Sequence, residues 1–150
     1  MNFIIKSPVT KLEFNSYYKL RWEILRKKFD NSIESSKDEL ENKSYHAMAI
    51  FEDTDEIIGV GRIHQIDNEN VQIRFMAVNS SYRGLGIGTA LLLHLIQIAK
   101  IKKGNKKIVL HSRENAVLFY ENNGFKKIRK SHNLFNKIQH YYMIKNISYF

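Results

Sequence analysis

The seven residues Arg83-Gly84-Leu85-Gly86-Ile87-Gly88-Thr89 lie between a predicted strand and a predicted helix. Glycine adopts positive φ angles without strain and lets the backbone approach a ligand closely. Free amide groups at the start of a helix point towards an anion, and the helix dipole adds to the attraction. The guanidinium of Arg83 offers a planar fork that suits a phosphate. This stretch therefore predicts a phosphate-binding loop.

Two well-known phosphate-binding motifs do not fit this loop. A P-loop needs Lys followed by Ser or Thr after its last glycine, whereas Thr89 follows Gly88 directly. A Rossmann fingerprint needs the spacing G-x-G-x-x-G and an acidic residue ~20 positions later, but the region around Lys102 and Lys103 is basic. A tight turn that caps a buried helix would explain two glycines. Three glycines with an arginine in front of them favour a ligand.

Strands and helices are predicted on both sides of the loop from the spacing of apolar residues. The predicted strands are Phe3–Lys6, Tyr45–Phe51, Ile57–Ile66, Val71–Val78, Lys107–Leu110, Phe125–Ile128 and Ile138–Ile144, and the predicted helices are Phe14–Phe29, Thr89–Lys102 and Arg113–Asn123. The second helix is apolar on nearly all sides, which predicts deep burial. Ser112 is a predicted N-cap for the third helix. Short turns predict an antiparallel meander for the second to fourth strands, and the later alternation predicts one α+β domain over residues 1–150.

Two blocks in the second half of the chain resemble a known family. The first is Met76-Ala77-Val78 followed by Tyr82-Arg83-Gly84-Leu85-Gly86-Ile87-Gly88-Thr89-Ala90-Leu91-Leu92, and the second is Asn115-Ala116-Val117-Leu118-Phe119-Tyr120-Glu121-Asn122-Asn123-Gly124-Phe125. In order and spacing these blocks resemble the GNAT superfamily of acyl-CoA N-acyltransferases. The resemblance implies a mixed central sheet, flanked by helices, with an antiparallel N-terminal meander and a parallel pair of strands that splay apart at the cofactor site.

The resemblance also implies a binding site for acetyl-CoA. Backbone groups of Met76 and Val78, within the segment Met76-Ala77-Val78, would bond the pantetheine arm. The pyrophosphate would be held by amides of the loop residues Arg83, Gly84, Leu85, Gly86, Ile87, Gly88 and Thr89. Asn115 would bond the pantetheine or the acceptor, although a polar residue in the first turn of a helix also bonds locally.

The implied reaction is direct attack of an amine on the thioester. An alkyl amine has a pKa of ~10.4 and must lose a proton before it attacks, and the departing thiolate benefits from a proton donor. Tyr120 matches the family's tyrosine and is the predicted general acid; a half-buried core aromatic is the alternative. His111 is the first candidate for the base, with His64 and Glu69 as further candidates that would act through water. A structural role remains open for each histidine.

Composition excludes several classes of protein. The chain has no cysteine, which excludes disulfides, thiolate zinc sites and cysteine nucleophiles. No histidine pair has a metal-ligand spacing such as His-x-x-x-His, so no metal is expected. The apolar stretch Ile87–Ile101 is interrupted by polar residues and the N-terminus lacks the features of a signal peptide. We therefore expect a soluble, cytoplasmic protein with no membrane partner.

The net charge of +9 is unevenly distributed. Residues 1–75 carry a net charge of −2, and residues 76–150 carry +11. A basic half agrees with a multiply charged anion such as acetyl-CoA, and Lys102, Lys103, Lys106 and Lys107 could attract its 3′-phosphate. Two alternatives stay open: solvated lysines produced by biased codon usage, and a nucleic-acid-binding protein that uses the basic run Lys126–Lys130.

The acceptor is not identified by the sequence. The segments Tyr17–Glu41 and Phe135–Tyr142 are expected to cover it, and the acidic residues Glu34, Asp38, Glu39 and Glu41 could attract a cationic amine or form a solvated loop. Four aromatic residues could line a pocket or fill the core: Trp22, Tyr45, Phe75 and Tyr141. The sequence favours an N-acetyltransferase acting on a small or peptide amine, with an acyl-CoA-binding module that lacks turnover as the alternative. The resemblance also implies a homodimer.

Overall fold

A computed structural model describes residues 2–29 and 31–149. Its seven strands form one sheet: β1 (Phe3–Lys6), β2 (Ser44–Phe51), β3 (Glu56–Gln65), β4 (Asn70–Val78), β5 (Lys107–Arg113), β6 (Lys126–Leu134) and β7 (Ile138–Asn146). The spatial order is β1-β2-β3-β4-β5-β7-β6. Only the central pair β4–β5 is parallel in this sheet, and the other neighbouring strands are antiparallel. The mixed α+β sheet and its antiparallel N-terminal meander are confirmed.

The first helix, α1 (Lys11–Leu25), begins and ends earlier than predicted. Its start is set by a capping box, in which the Thr10 hydroxyl accepts from the Glu13 amide at 3.1 Å and the Glu13 carboxylate accepts from the Thr10 amide at 3.1 Å. Such a box satisfies two amides that the first helical turn leaves free. After Leu25 the chain tightens into a 3₁₀ turn over Lys27–Phe29.

The second helix, α2 (Ile87–Ile101), directly follows the glycine loop. One side of it is buried, through Ile87, Leu91, Leu92, Leu95, Ile96 and Ala99. The predicted deep burial holds for that side only, because Leu93 is 52% exposed and Ile101 is 77% exposed. His94 is half-buried. The apolar composition of this helix therefore exceeds what its packing requires.

The third helix, α3 (Val117–Asn122), is shorter than predicted, and the Ser112 cap is wrong. Ser112 lies within β5 and donates its hydroxyl to the Arg113 carbonyl at 2.8 Å. Pairing with β7 extends β5 to Arg113, opposite His140. A 3₁₀ turn over Glu114–Ala116 then leads into the helix.

The helices cover opposite faces of the sheet. The α2 face holds the larger core, which includes Ala47 and Ala49 of β2, whereas the α1 face includes Met48 and Ile50, their alternating neighbours. Over the described residues, no helix is both long and apolar enough to reach across a bilayer. The candidate site opens between these two faces, where the sheet is interrupted.

Candidate active site

The sheet opens between its two parallel strands. Pairing of β4 with β5 covers only Asn70–Gln72 against Lys107–Val109. Beyond Gln72 the strands diverge, because β4 contains a bulge at Phe75, whose φ is 58° and where the pairing with β3 shifts register. A bulge bends a strand and increases its twist. The divergence leaves one edge of β4 unpaired up to Val78.

The backbone of β4 presents bonding groups to this gap. The Asn79 amide donates to the Ile58 carbonyl of β3 at 2.8 Å. Because backbone groups alternate sides along a strand, those of Ala77 also face β3, whereas those of Met76 and Val78 face the gap. Met76 and Val78 therefore offer free backbone groups to the gap. Ala77, the other residue of the predicted segment, contributes its buried side chain to the α1 face.

The glycine loop leads into α2, whose first turn has no side-chain N-cap. Gly84 and Gly86 have φ angles of 80° and 83°, in the region that glycine tolerates best. Gly86 is the N-cap of α2 and has no side chain to accept from the first-turn amides of Ile87, Gly88 and Thr89. A Cβ at either Gly84 or Gly86 would meet nothing within 4 Å, so open space lies in front of the loop. Free amides facing open space suit an anion.

The other predicted loop residues are exposed. The side chains of Arg83, Leu85 and Thr89 all face solvent, and Arg83 forms no ion pair with a described residue. The guanidinium is therefore available to a ligand that approaches the start of α2.

Close packing brings α3 to the same place. A Cβ at Gly88 would lie 3.4 Å from the Phe119 ring and 3.7 Å from the Val78 side chain, so α2, α3 and the end of β4 meet here. The neighbouring Tyr120 is 7% exposed, and its ring centre lies 5.0 Å from that of Phe119 and 5.6 Å from that of Phe125. Its hydroxyl has no hydrogen bond to any described residue, and burial raises its pKa. Tyr120 lines the gap as a neutral phenol.

A cleft of about 240 Å³ occupies the gap. Its lining comes from the end of α1, from β4 to β7, and from Ala116 and Tyr120 near α3. Three of its residues are histidines on adjacent strands: His111, His132 and His140. The His132 and His140 rings stack at 4.2 Å, and His111 lies 5.4 Å from His132.

These histidines favour their neutral forms. Burial lowers the pKa of His111, and the charges of His132, Arg129 and Arg74 lower it further. Burial, followed by His132, lowers the pKa of His140 to about 4. The buried Nδ1 of His111 has no hydrogen-bond partner among the described residues. A neutral imidazole with a free nitrogen, close to Tyr120 in one cleft, is equipped to accept a proton.

Several other predicted residues lie elsewhere. His64 is buried on β3, where its ring bonds the Arg62 guanidinium at 3.1 Å. Glu69 precedes β4 at the paired end of the strand and binds Lys106 at 3.2 Å. Asn115 is exposed in the turn before α3 and does not line the cleft. Neither His64 nor Glu69 is brought to the cleft with Tyr120.

The four lysines suggested for the 3′-phosphate are in the wrong place. Lys102, Lys103, Lys106 and Lys107 follow the C-terminal end of α2. A helix of 15 residues is ~22 Å long at 1.5 Å per residue, so these lysines lie a full helix length from the glycine loop.

Of the four acidic candidates, Asp38 and Glu41 are structural rather than free to attract an amine, whereas Glu39 is exposed and forms no ion pair with a described residue. Asp38 binds Arg62 and Arg74, each at 2.7 Å, and Glu41 binds Arg62 at 2.8 Å and Arg21 at 3.0 Å. Both carboxylates are mostly buried, with 13% and 11% of their side chains exposed. Glu34 contacts Lys37 at the surface, 3.6 Å away. Asp38 and Glu41 therefore neutralise arginines of the α1 face.

Sequence reasoning missed most of the cleft lining. Of the four aromatic candidates only Phe75 lines the cleft; Tyr45 is 64% exposed, and the Trp22 indole donates to the Asn31 carbonyl at 2.7 Å. Arg74, Arg113 and His132 were not predicted for the site, whereas Arg26 and His140 lie in the segments Tyr17–Glu41 and Phe135–Tyr142 that were expected to cover the acceptor. Alternation along β6 and β7 could have placed the two histidines on one face. Within the described residues, no three His, Cys, Asp or Glu side chains cluster closely enough to hold a metal ion.

Comparison with known proteins identifies one relative that matches nearly the whole chain and one that matches about a third of it. An uncharacterized N-acetyltransferase of Bacillus subtilis (strain 168), YjcF, is 26% identical over 144 residues, which cover 95% of this chain and 100% of the relative. A glucosamine 6-phosphate N-acetyltransferase of Trypanosoma brucei brucei is 43% identical over 54 residues, so the match spans only 36% of either protein.

Solved structures share the fold. A GNAT family acetyltransferase from Elizabethkingia anophelis, with acetyl-CoA bound, superposes with a TM-score of 0.75 at 20% identity, covering 97% of this chain and 98% of that one. Residues 14–125, from α1 through α3, match the sequence pattern of one family, described as the acetyltransferase (GNAT) family. That range contains the bulged β4, the glycine loop and Tyr120. The chain belongs to the acetyltransferase (GNAT) family.

Proposed function

We propose that this acyltransferase moves an acetyl group from acetyl-CoA to a primary amine by direct attack. One observation carries the proposal: the uncapped start of α2 and the open edge of β4 meet at Val78 and Gly88. A pyrophosphate at the first feature and a pantetheine arm along the second would belong to a single ligand. The bound acetyl-CoA of the Elizabethkingia anophelis structure and the N-acetyltransferase names of both relatives support this donor and acceptor class.

The binding roles follow the loop and the strand. The amides of Ile87, Gly88 and Thr89 would bind the pyrophosphate, with Arg83 as a counter-charge. Gly84, Leu85 and Gly86 would shape the turn in front of them. Met76 and Val78 would bond the pantetheine through their backbones, and Ala77 would hold the strand against the α1 face. Asn115, exposed in the turn before α3, would bond the pantetheine or the acceptor.

Tyr120 would protonate the leaving group. The amine nitrogen attacks the thioester carbon, the carbon–sulfur bond breaks, and its electron pair goes to sulfur. The raised pKa of Tyr120 keeps the phenol protonated at neutral pH. Such a phenol is a weak acid, so it would donate a hydrogen bond as negative charge builds on sulfur and release its proton as the bond breaks.

His111 would take up the proton that the amine nitrogen loses. Its lowered pKa keeps the imidazole neutral and able to accept, through water, the proton of the tetrahedral intermediate. The nearby charge of Arg74 also disfavours the ammonium form of the amine. The cleft therefore favours both the neutral nucleophile and the neutral base.

Calorimetric titration with acetyl-CoA at two salt concentrations tests the donor site, and Arg83→Glu is the variant that should lose binding. A thiol-release assay with a panel of amines then tests the transfer, with Tyr120→Phe as the variant that should lose turnover. Absence of acetyl-CoA binding at both salt concentrations would sink the proposal. Cytoplasmic location and a homodimer remain predictions; sedimentation velocity checks the second.

A further inference from the structure

Around the cleft, on the α1 face of the sheet, arginines carry more positive charge than the neighbouring carboxylates neutralise. Four guanidinium carbons surround the ring of Phe75, at 4.3, 5.9, 5.0 and 4.4 Å from its centre for Arg21, Arg26, Arg62 and Arg74. Arg113 of β5 lines the same cleft. The ion-pair partners of these five arginines among the described residues are two carboxylates, Asp38 and Glu41.

Both carboxylates form ion pairs with arginines other than Arg26 and Arg113. Glu41 binds Arg21 and Arg62, and Asp38 binds Arg62 and Arg74. In contrast, Arg26 and Arg113 both donate to one backbone oxygen, the Leu25 carbonyl, at 3.2 and 2.7 Å. No described carboxylate pairs with either of them.

Both guanidinium groups are withdrawn from water. Arg26 is 8% exposed and Arg113 is half-buried. Burial, followed by the charges of Arg113, Arg74 and Arg21, lowers the pKa of Arg26 to about 10, so it is still charged at neutral pH. A buried charge without a partner is destabilising, and proteins normally pair it. An anionic group bound in the cleft would supply a partner for both guanidinium groups.

The cleft offers that molecule a defined position. Its lining includes Arg26, Arg113, His111 and Tyr120, and no aspartate or glutamate of the described residues is part of that lining. An anion on the arginines would therefore lie in the same cavity as the groups that handle protons. A polycationic acceptor would meet only like charge there.

We propose that the acceptor is a primary amine that also bears an anionic group, a carboxylate or a phosphate, and that Arg26 and Arg113 bind this group. The inference rests on the proposed function, since it names the substrate class of that site. Arginine forms two parallel hydrogen bonds with either anion, which gives orientation as well as affinity. With its anion fixed, the amine of such a substrate would be directed towards the end of the cleft that holds Tyr120.

Matched acceptor pairs test the proposal. Thiol release is measured with phenylalanine against phenylalaninamide, with O-phosphoethanolamine against ethanolamine, and with spermidine as the polycation. We expect kcat/KM to be at least about tenfold higher for the anionic member of one pair. The carboxylate pair and the phosphate pair distinguish the two sources of the anion. Equal or better turnover of the amines that lack an anionic group overturns the inference while leaving the proposed function intact.

Variants then locate the anion site. Arg26→Met and Arg113→Met should each raise KM for the anionic acceptor about tenfold or more and leave acetyl-CoA affinity unchanged. Arg113→Lys should restore part of the loss, because a single charge without the fork remains. Lys126→Met removes one exposed positive charge from β6 outside the cleft and should change neither constant. Thermal unfolding of each variant separates loss of binding from loss of fold.

A measurement without turnover keeps the two hypotheses separate. Inorganic phosphate is titrated into the protein while the ring signals of His111, His132 and His140 are followed by NMR. We expect these signals to shift in the wild type and to shift less in the double variant Arg26→Met/Arg113→Met. If acetyl-CoA does not bind, the proposed function fails, and this titration still decides whether the cleft binds an anion. Unmoved signals overturn the anion site.

Discussion

The carboxylate of Asp38 and the guanidinium of Arg62 form a two-bond ion pair, with Nη1–Oδ1 at 2.7 Å and Nη2–Oδ2 at 3.0 Å. Arg62 is completely buried on β3, and Asp38 belongs to the acidic segment after α1. The pair fixes that segment against the sheet beneath the cleft. Asp38 also binds Arg74 at 2.7 Å, so this carboxylate connects the buried cations with the cleft lining.

Loss of the Asp38 charge should destabilise the protein. Asp38→Asn leaves a fully buried guanidinium with Glu41 as its remaining carboxylate, and breaking a buried pair costs about 3 kcal/mol of the free energy of unfolding. Urea denaturation measures the loss. Asp53→Asn, in the exposed turn between β2 and β3, is the control and should stay within about 0.5 kcal/mol of the wild type. Equal stability of both variants would contradict the structural role.

The same pair should produce a characteristic acid transition. Burial alone would raise the pKa of Asp38, but hydrogen bonds from Arg62 and the Leu40 amide, together with the charges of Arg62 and Arg74, lower it to about 2. Since the native state holds the ionised form, the stabilisation is present above pH 3.8 and is lost as the pH falls towards about 2. In Asp38→Asn the free energy of unfolding should fall less steeply over this interval, as measured by denaturation at several pH values.

Removing the Tyr120 hydroxyl should affect catalysis and not folding. Tyr120→Phe keeps the ring contacts with Phe119 and Phe125 and removes a hydroxyl that bonds no described residue. We expect kcat to fall about 100-fold, the usual contribution of a proton donor, with KM for acetyl-CoA and the melting temperature nearly unchanged. Full activity of this variant would assign Tyr120 to the core alone.

The glycine loop should be sensitive to backbone conformation rather than to bulk. At Gly86 a Cβ would contact nothing, so Gly86→Ala acts through its φ of 83°, which costs an L-residue about 1–2 kcal/mol. We expect acetyl-CoA affinity to fall more than about tenfold, since the amides that follow would turn away. Gly104→Ala, after α2, has ordinary contacts of 3.5 Å and is the control. Calorimetry measures both affinities.

The fold was predictable wherever local patterns and tertiary contacts agree. The meander and the strand–loop–helix unit around Gly86 follow from alternation and glycine placement, and the structure confirms both. The region around Ser112 does not follow, because a good local cap was overridden by pairing of β5 with β7 up to Arg113. Beyond Ile128, β6 is mostly exposed and polar, so hydrogen bonding to β7 and not an apolar pattern extends it to Leu134.

The sequence predicted residues on both sides of the candidate site, but it did not identify the arginines of the cleft individually. Tyr120 and His111 were found by motif and by position, and both line one cleft. Arg26 was predicted only as part of the segment Tyr17–Glu41, and Arg113 was missed because it was assigned to the third helix instead of β5. They converge because the Arg113 guanidinium of β5 donates to the Leu25 carbonyl at the end of α1, 88 residues away in the sequence. No local pattern records such a contact.

The cluster of His111, His132 and His140 should make the free energy of unfolding depend on pH in a second interval, above the one in which Asp38 titrates. Burial lowers the pKa of His111, His132 and His140, the last to about 4, so the native state favours neutral imidazoles. As the pH falls below 6.5 the unfolded chain binds protons first, and stability is lost between pH 6.5 and about 4. For His140 alone, the free energy of unfolding should fall by about 2 kcal/mol over this interval, a value reduced to allow for screening by water.

Substitution of one imidazole tests this dependence. His140→Gln should flatten the fall in the free energy of unfolding between pH 6.5 and about 4, because one proton-binding difference between the unfolded and native states is removed. Gln139→Ala changes the neighbouring side chain of β7 without removing an imidazole and should keep the wild-type slope. Urea denaturation across this interval measures both variants. An unchanged slope in His140→Gln would mean that the ring already binds its proton in the native cleft.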